Sequence, residues 1–379
     1  MSLPLFTVFF KMNKTRLINI FLLLFSIFLP IYIADLVLKN LRLPKDSSRL
    51  MLLAGSSLFS DLNGFRRYEP NKNVEQLAIY DKNIAYRYTY KTNNKGLVSH
   101  PDLQKNDVID LTINGDSFSE GQGGYPWVVE WQKNELKELQ ITSLNYSIAG
   151  NGFEDFLKGS RHSKKFYNAS KNIIFFIEHD AYRPYQRMSK NRNCSFYSNG
   201  FLDNILGPLT CKTYGIVWHH VDLKKSDKEI LDKAKYLQQY GVLASFNKFL
   251  KEVKNSFTRK ITLKSDLENE IKSQKIELSF GEIPSYTKIA ISKINSIYGK
   301  NNVLYVQLPQ TVGKPNKSAL EFTKRLAALA DNKIINLWES CPLERSDFHV
   351  LDNHPNVEGY KKIKRCISEN KEINNFIKF

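Results

Sequence analysis

The chain has 379 residues, of which 42% are hydrophobic and 12% aromatic, and its formal charge is +17. That length and composition exclude an intrinsically disordered chain and allow a sizeable core, built as one large domain with an insertion or as two medium domains. The lysines are spread along the whole sequence without a dense basic block, which argues for a solvated basic surface rather than a nucleic-acid partner.

The first element is apolar. An uncharged run from Leu17 to Ala34 is just long enough to cross a bilayer core of about 30 Å. Lys11, Lys14 and Arg16 precede it, so the positive-inside rule places residues 1–16 in the cytoplasm, a single membrane anchor at 17–38 and the remainder outside. A cleaved signal peptide is the alternative, although "PIYIADLV" offers only Ala34, followed by Asp35, as a small-residue cleavage site. "MNKTRL" reads as a start at Met12, which would make the first eleven residues an extension.

Residues 39–106 read as a linker followed by short extended segments, with turn signals at Asn93 to Gly96. From Asp107 onward five short runs rich in β-branched and apolar residues alternate with helical stretches: "VIDLTIN", "ITSLNYSIA", "NIIFFIE", "NVLYVQLP" and "KIINLWE". Trp127, Val128, Trp131, Leu136 and Leu139 recur at helical spacing after the first. Before the fourth, Ile289, Ile291, Ile294 and Ile297 mark a core-facing helix, and Ser318 is a plausible N-cap after it. Strands alternating with helices predict a three-layer α/β sandwich over 107–379 around a five-stranded parallel sheet, with the ligand site at the carboxyl ends of the strands.

About a hundred residues separate the third strand from the fourth, far more than a crossover needs, so a largely helical insertion is expected at about 185–282. It carries Cys194 and Cys211, and the other two cysteines are Cys341 and Cys366. Outside the cytoplasm an even number favours disulfides between sequence neighbours, Cys194 with Cys211 and Cys341 with Cys366; buried free thiols are the alternative, and none has zinc-site spacing. His219 and His220, without a carboxylate cluster nearby, read as surface or lid residues rather than metal ligands.

Three strands end in residues that can do chemistry: Gly115, Asp116 and Ser117 after the first, Gly150 and Gly152 after the second, His179 and Asp180 after the third. "LDNHPNVEGY" near the C-terminus adds Asp352 and His354, with Asn356 as the N-cap of a last helix. The ordered set GDSxxxG, a glycine after the second strand, a polar pair after the third and DxHPNxxGY near the end resembles the SGNH (GDSL-type) hydrolase superfamily. The resemblance covers Asp107 to the C-terminus apart from the insertion, and implies an SGNH or flavodoxin-like sheet.

By that resemblance Ser117 is the nucleophile, His354 the general base and Asp352 the residue that orients it. The Ser117 amide, Gly150 and His179 then form the oxyanion hole, with no cofactor and no metal. A serine hydroxyl needs such a base within hydrogen-bond reach to act near neutral pH. Two positions differ from the family pattern. His179 stands where asparagine is usual, which leaves one N–H donor on a neutral ring and makes the hole pH-dependent. Asp352 precedes His354 by two residues rather than three, which leaves a Ser-His dyad as an alternative.

The pattern "YEPN...YTYKTNNKGL" before the GDS motif resembles anchored members that modify polysaccharides. The expectation is therefore an extracytoplasmic esterase or acyltransferase acting on an acylated carbohydrate, with O-acetyl as the acyl group. A single span offers no route for an acyl donor, which favours hydrolysis. A catalytically inactive carbohydrate-binding or assembly protein of the same fold is the alternative.

Overall fold

The computed structural model describes residues 50–56, 58–60, 65–80, 83–104, 107–183, 186–189, 194–197, 218–220, 226–231 and 282–378, with scattered positions between 18 and 33. The chain divides into two compact units, Met1–Ser48 with Asp232–Lys275, and Arg49–Leu231 with Ile276–Phe379. In the first unit the described positions are helical and exposed, and much of the expected anchor lies outside the described residues. Among those described, no helix is long and apolar enough to cross a membrane.

The second unit opens with antiparallel structure where short extended segments were expected. Strands β1 (Leu50–Ala54), β2 (Leu58–Ser60), β3 (Arg66–Tyr68), β4 (Asn73–Tyr80) and β5 (Asn83–Lys91) build a hairpin of β4 with β5, flanked by β1, and a separate β2–β3 pair. β5 follows the period of a strand with one wet face: Tyr86, Tyr88 and Tyr90 are buried while Arg87, Thr89 and Lys91 are exposed. The tyrosines join Leu53, Tyr68, Val74 and Ala78 in a core of their own, which also takes in Ile148 and Ala149.

All five expected parallel strands form: β6 (Leu111–Asn114), β7 (Ser143–Asn145), β8 (Lys171–Phe176), β12 (Val303–Gln307) and β13 (Ile334–Asn336). Three further short strands lie in the insertion between β8 and β12, namely β9 (Gln186–Ser189), β10 (Cys194–Tyr197) and β11 (Trp218–His220). β9 pairs with β10, and β11 adds in parallel to β1. Helical residues 227–231 follow, and the rest of the insertion lies outside the described residues. These strands make two pairings, one local and one with distant chain, that the charged helical pattern of the segment's sequence does not announce; the expected helical part lies mostly outside the described residues.

The sheet order β13-β12-β8-β6-β7 places the first strand of the α/β region between the second and the third. Its strands are buried on both faces. Ile173 and Phe175 of β8 point into one core and Ile174 and Phe176 into the other, and β12 divides Leu304 and Val306 from Val303 and Tyr305 in the same way.

Helices α1 (Ser117–Glu120) and α2 (Trp127–Trp131) follow β6, and α2 continues as a π-turn over Gln132–Leu136. Helix α3 (Phe153–Tyr167) leads into β8, α4 (Ser285–Tyr298) into β12 and α5 (Lys317–Ala330) into β13. Then come α6 (Leu337–Ser340), α7 (Val357–Glu369) and α8 (Lys371–Ile377). Side chains of α3, α4 and α5 fill one core and those of α2, α7 and α8 the other, which makes three layers.

Some sequence expectations shift by a residue or a face. Asn316, not Ser318, caps α5, its side chain accepting from the Ala319 amide at 2.9 Å. In α4 Ile291 and Ile294 are buried and Ile297 packs against the core, but Ile289 faces solvent, as does Leu139 beyond the π-turn. Cys341 and Cys366 are disulfide-bonded, joining the end of α6 to α7. The sulfur of Cys194, and all of Cys211, lie outside the described residues, as do the side chains of His219 and His220.

Candidate active site

The first strand of the α/β region is flanked on both sides by later strands, so the connections on either side of it leave in opposite directions and open a crevice at its carboxyl end. Ser117 follows β6 at that point. Asp116 stays extended and its Oδ1 accepts the Phe118 amide at 2.9 Å, which starts a single helical turn with Ser117 as its first residue. A first-turn amide has no partner within its own helix, so the Ser117 N–H is left for another acceptor. The turn ends at once on Gly121, in the left-handed region at φ 84°, whose amide returns to the Ser117 carbonyl at 3.1 Å. The second glycine of the motif thus stops α1 after one turn and holds Ser117 at the sheet edge.

The distant histidine meets it there. His354 Nε2 lies 2.8 Å from Ser117 Oγ, and His354 Nδ1 lies 2.7 Å from Asp352 Oδ1. An Nδ1–H donated to the carboxylate leaves Nε2 to accept from the hydroxyl. Asp352 Oδ1 also accepts the His354 backbone N–H at 3.2 Å, so the short two-residue spacing closes a local aspartate turn rather than breaking the contact.

Helix α7 brings this loop into place. Asn356 caps it by accepting from the Glu358 and Gly359 amides, and its buried face shares a core with α2. Tyr360 donates to the Gln122 carbonyl at 2.8 Å and reaches the Ser117 carbonyl at 3.4 Å, tying the last helix to the serine turn.

A cleft of ≈ 320 Å³ opens over the histidine. His354, Asp352, His179 and Arg183 line it; Tyr80, Phe118, Ile177 and Leu351 add apolar surface, and Gln310, Thr311 and Asn353 add polar groups. Tyr80 ends β4, so the antiparallel sheet supplies part of the wall. The Phe118 ring packs against the His354 imidazole at 5.2 Å between centroids. His179 lines the cleft as a solvent-exposed residue, and partial desolvation together with the nearby Arg183 lowers its pKa, which favours the neutral ring.

Gly150 is not among the lining residues. It occupies the adjoining turn at φ 78°, a conformation that suits glycine. Among the described residues no group of three His, Cys, Asp or Glu is arranged to hold a metal ion.

That Gly150 turn is held from behind by residues that carry no signal in the sequence. Glu120, fully buried, accepts the Ala149 amide at 2.8 Å and the hydroxyls of Tyr68 and Tyr90 at 2.7 and 3.2 Å. Arg66 donates to the Ala149 carbonyl at 3.2 Å and to Asn151 Oδ1, and lies 3.8 Å from Asp155. Arg66, Tyr68 and Tyr90 come from β3 and β5, so the antiparallel sheet grips the turn after β7. Only the position of Glu120 inside GDSxxxG could have flagged it, and its burial depends on tyrosines some 30 to 50 residues away.

Burial pushes the Glu120 pKa up to about 7, although its hydrogen bonds and Arg66 oppose the shift. An acid whose pKa rises on folding binds its proton more tightly in the native state. Its contribution is therefore present in full below the unfolded value, near 4.5, and is lost as pH rises towards 7. We expect the unfolding free energy of the protein to fall over that window by about 3 kcal/mol more than that of Glu120→Gln. Denaturant titrations of both proteins at pH 4.5 and 7.5 measure the difference, and equal slopes would remove the titrating glutamate from the account.

No protein-family model matches the chain, and no curated protein does. Solved structures similar to it include a lipase/acylhydrolase from Enterococcus faecalis, at 11% identity over 71% of this chain and 96% of that one, with a TM-score of 0.35. A family 3 carbohydrate esterase from Clostridium thermocellum aligns at 12% identity over 71% and 98%, with a TM-score of 0.32. A GDSL-like lipase from Bacteroides thetaiotaomicron aligns at 10% over 70% and 87%, also at 0.32. Likenesses of this size assign no activity.

Proposed function

We propose that the chain is an SGNH-type serine esterase that removes a short acyl group, O-acetyl in the first instance, from a cell-surface polysaccharide outside the cytoplasm. One observation carries the chemistry: Ser117 Oγ, the His354 imidazole and the Asp352 carboxylate form a continuous hydrogen-bonded chain at the edge of the cleft. The carbohydrate, the acetyl group and the location rest on the sequence resemblance and on the apolar run from Leu17 to Ala34.

In the proposed reaction Ser117 Oγ attacks the ester carbonyl carbon as its proton passes to His354 Nε2, and the carbonyl oxygen takes the negative charge. The Ser117 amide, the Gly150 amide and a His179 N–H are the proposed donors to that oxygen, each worth about 3 kcal/mol in comparable sites. The sugar oxygen leaves with the proton from His354, which forms the acyl-enzyme. Water then attacks, returns a proton through the same imidazole and releases the free acid.

The cleft is at the small end of the range for ligand sites, which suits a sugar hydroxyl bearing a short acyl chain. Tyr80 offers a ring face, while Gln310, Thr311 and Asn353 offer groups that can bond sugar hydroxyls.

Full-length protein in detergent should release acetate from an acetylated polysaccharide and cleave p-nitrophenyl acetate faster than the octanoate. No turnover of any ester above buffer would reject the enzyme reading, and octanoate turned over faster than acetate would reject the short acyl group.

A further inference from the structure

Arg183 follows the short turn Glu178–Tyr182 at the end of β8, and its Nη1 reaches three acceptors on three different segments. It bonds Asp116 Oδ2 at 3.0 Å in the serine turn, the Asn151 carbonyl at 3.1 Å in the turn after β7, and Asp180 Oδ1 at 2.5 Å beside His179. Those segments carry Ser117, Gly150 and His179, the groups proposed to surround the reacting carbonyl. Both carboxylates are fully buried, whereas a quarter of the Arg183 side chain remains exposed and lines the cleft.

We infer that Arg183 is a positioning residue, whose guanidinium fixes the three strand-end turns relative to one another and offsets the carboxylate charge beside the nucleophile. The inference rests on the proposed esterase reading. Its physical basis is twofold. The ladders joining β7, β6 and β8 end before the turns begin, and beyond them the turns after β6 and β7 are linked through the Gly115 carbonyl, so one planar, permanently charged group bonded to all three turns adds the constraint that brings in the turn after β8.

Asp116 is also a direct neighbour of Ser117, since the serine hydroxyl lies 3.3 Å from Asp116 Oδ2. Negative charge growing on the substrate oxygen would be opposed by a bare carboxylate there, and Arg183 opposes that repulsion. Burial and the nearby Asp116 push the Asp180 pKa well up, which favours its protonated form and leaves the arginine to balance Asp116.

The test is the steady-state kinetics of Arg183→Ala and Arg183→Lys on p-nitrophenyl acetate, with full-length protein and with added methylguanidinium. Arg183→Ala should lower kcat by roughly 100-fold with KM within about threefold, because a misaligned site binds substrate but stabilises the transition state poorly. Millimolar methylguanidinium, entering through the cleft, should restore part of that loss, which a merely structural defect would not permit.

Arg183→Lys keeps the charge but not the planar fork and should fall between the two, at roughly 10-fold below wild type. A kcat within threefold of wild type in folded Arg183→Ala overturns the inference, as does a loss in it that methylguanidinium leaves unchanged. If the alanine variant does not fold, wild-type kcat in Arg183→Lys does the same. An inactive wild type would instead sink the esterase reading, so the two failures are distinguishable.

Discussion

Ser117→Ala is expected to reduce ester turnover by roughly 10⁶-fold, leaving only what cleft binding and oxyanion donors contribute. The substitution deletes the atom proposed to bond to carbon, and among the described residues no other hydroxyl bonds His354 Nε2. Its structural cost should be small: the hydroxyl's contacts with the imidazole and with Asp116 Oδ2 are lost, worth about 1 kcal/mol each at most, while the Asp116 cap and the Gly121 turn use backbone and carboxylate groups that remain. A folded variant, judged by its thermal unfolding midpoint, with p-nitrophenyl acetate turnover within tenfold of wild type would show that the hydroxyl is not the nucleophile.

Asp352→Asn is the second large effect, roughly 10⁴-fold in kcat. Asp352 Oδ1 accepts both the His354 backbone N–H and Nδ1–H, so the amide atom placed there is either an uncharged oxygen that keeps the turn or an NH₂ that gives it up. What changes is the ring. An asparagine can donate to Nδ1 and stabilise the tautomer with the proton on Nε2, where it blocks the serine hydroxyl, and the carboxylate charge that steadies the imidazolium is gone. A loss of less than tenfold would favour the Ser-His dyad.

Much of the fold is legible in the sequence because its signals are local. β8 and β12 each hold four consecutive apolar residues, at 173–176 and 303–306, as two-sided burial requires, and the amphipathic stretch of α4 shows the face it buries apart from Ile289. The meeting of Ser117 and His354, 237 residues apart, is what the resemblance carried by their motifs implies, and the structure places the two within hydrogen-bond distance.

What escapes the sequence is non-local polar chemistry. Tyr86, Tyr88 and Tyr90 alternate visibly with polar residues, yet nothing in "YRYTYK" says that the Tyr90 hydroxyl meets Glu120, or that Arg66 clamps the Gly150 turn. Arg183 is equally silent, since an arginine between a tyrosine and a proline reads as surface until three turns converge on it. The antiparallel segment, read as linker and short strands, is by contrast a wall and a support of the cleft.

The account stands or falls on a serine made nucleophilic by an imidazole from the far end of the chain. Incubating the full-length protein with a fluorophosphonate and locating the adduct by peptide mass spectrometry tests this directly. One adduct is expected, on Ser117, absent in Ser117→Ala and formed at least 100-fold more slowly in His354→Ala. An adduct on another residue, or labelling of Ser117 at an unchanged rate without the imidazole, would contradict it.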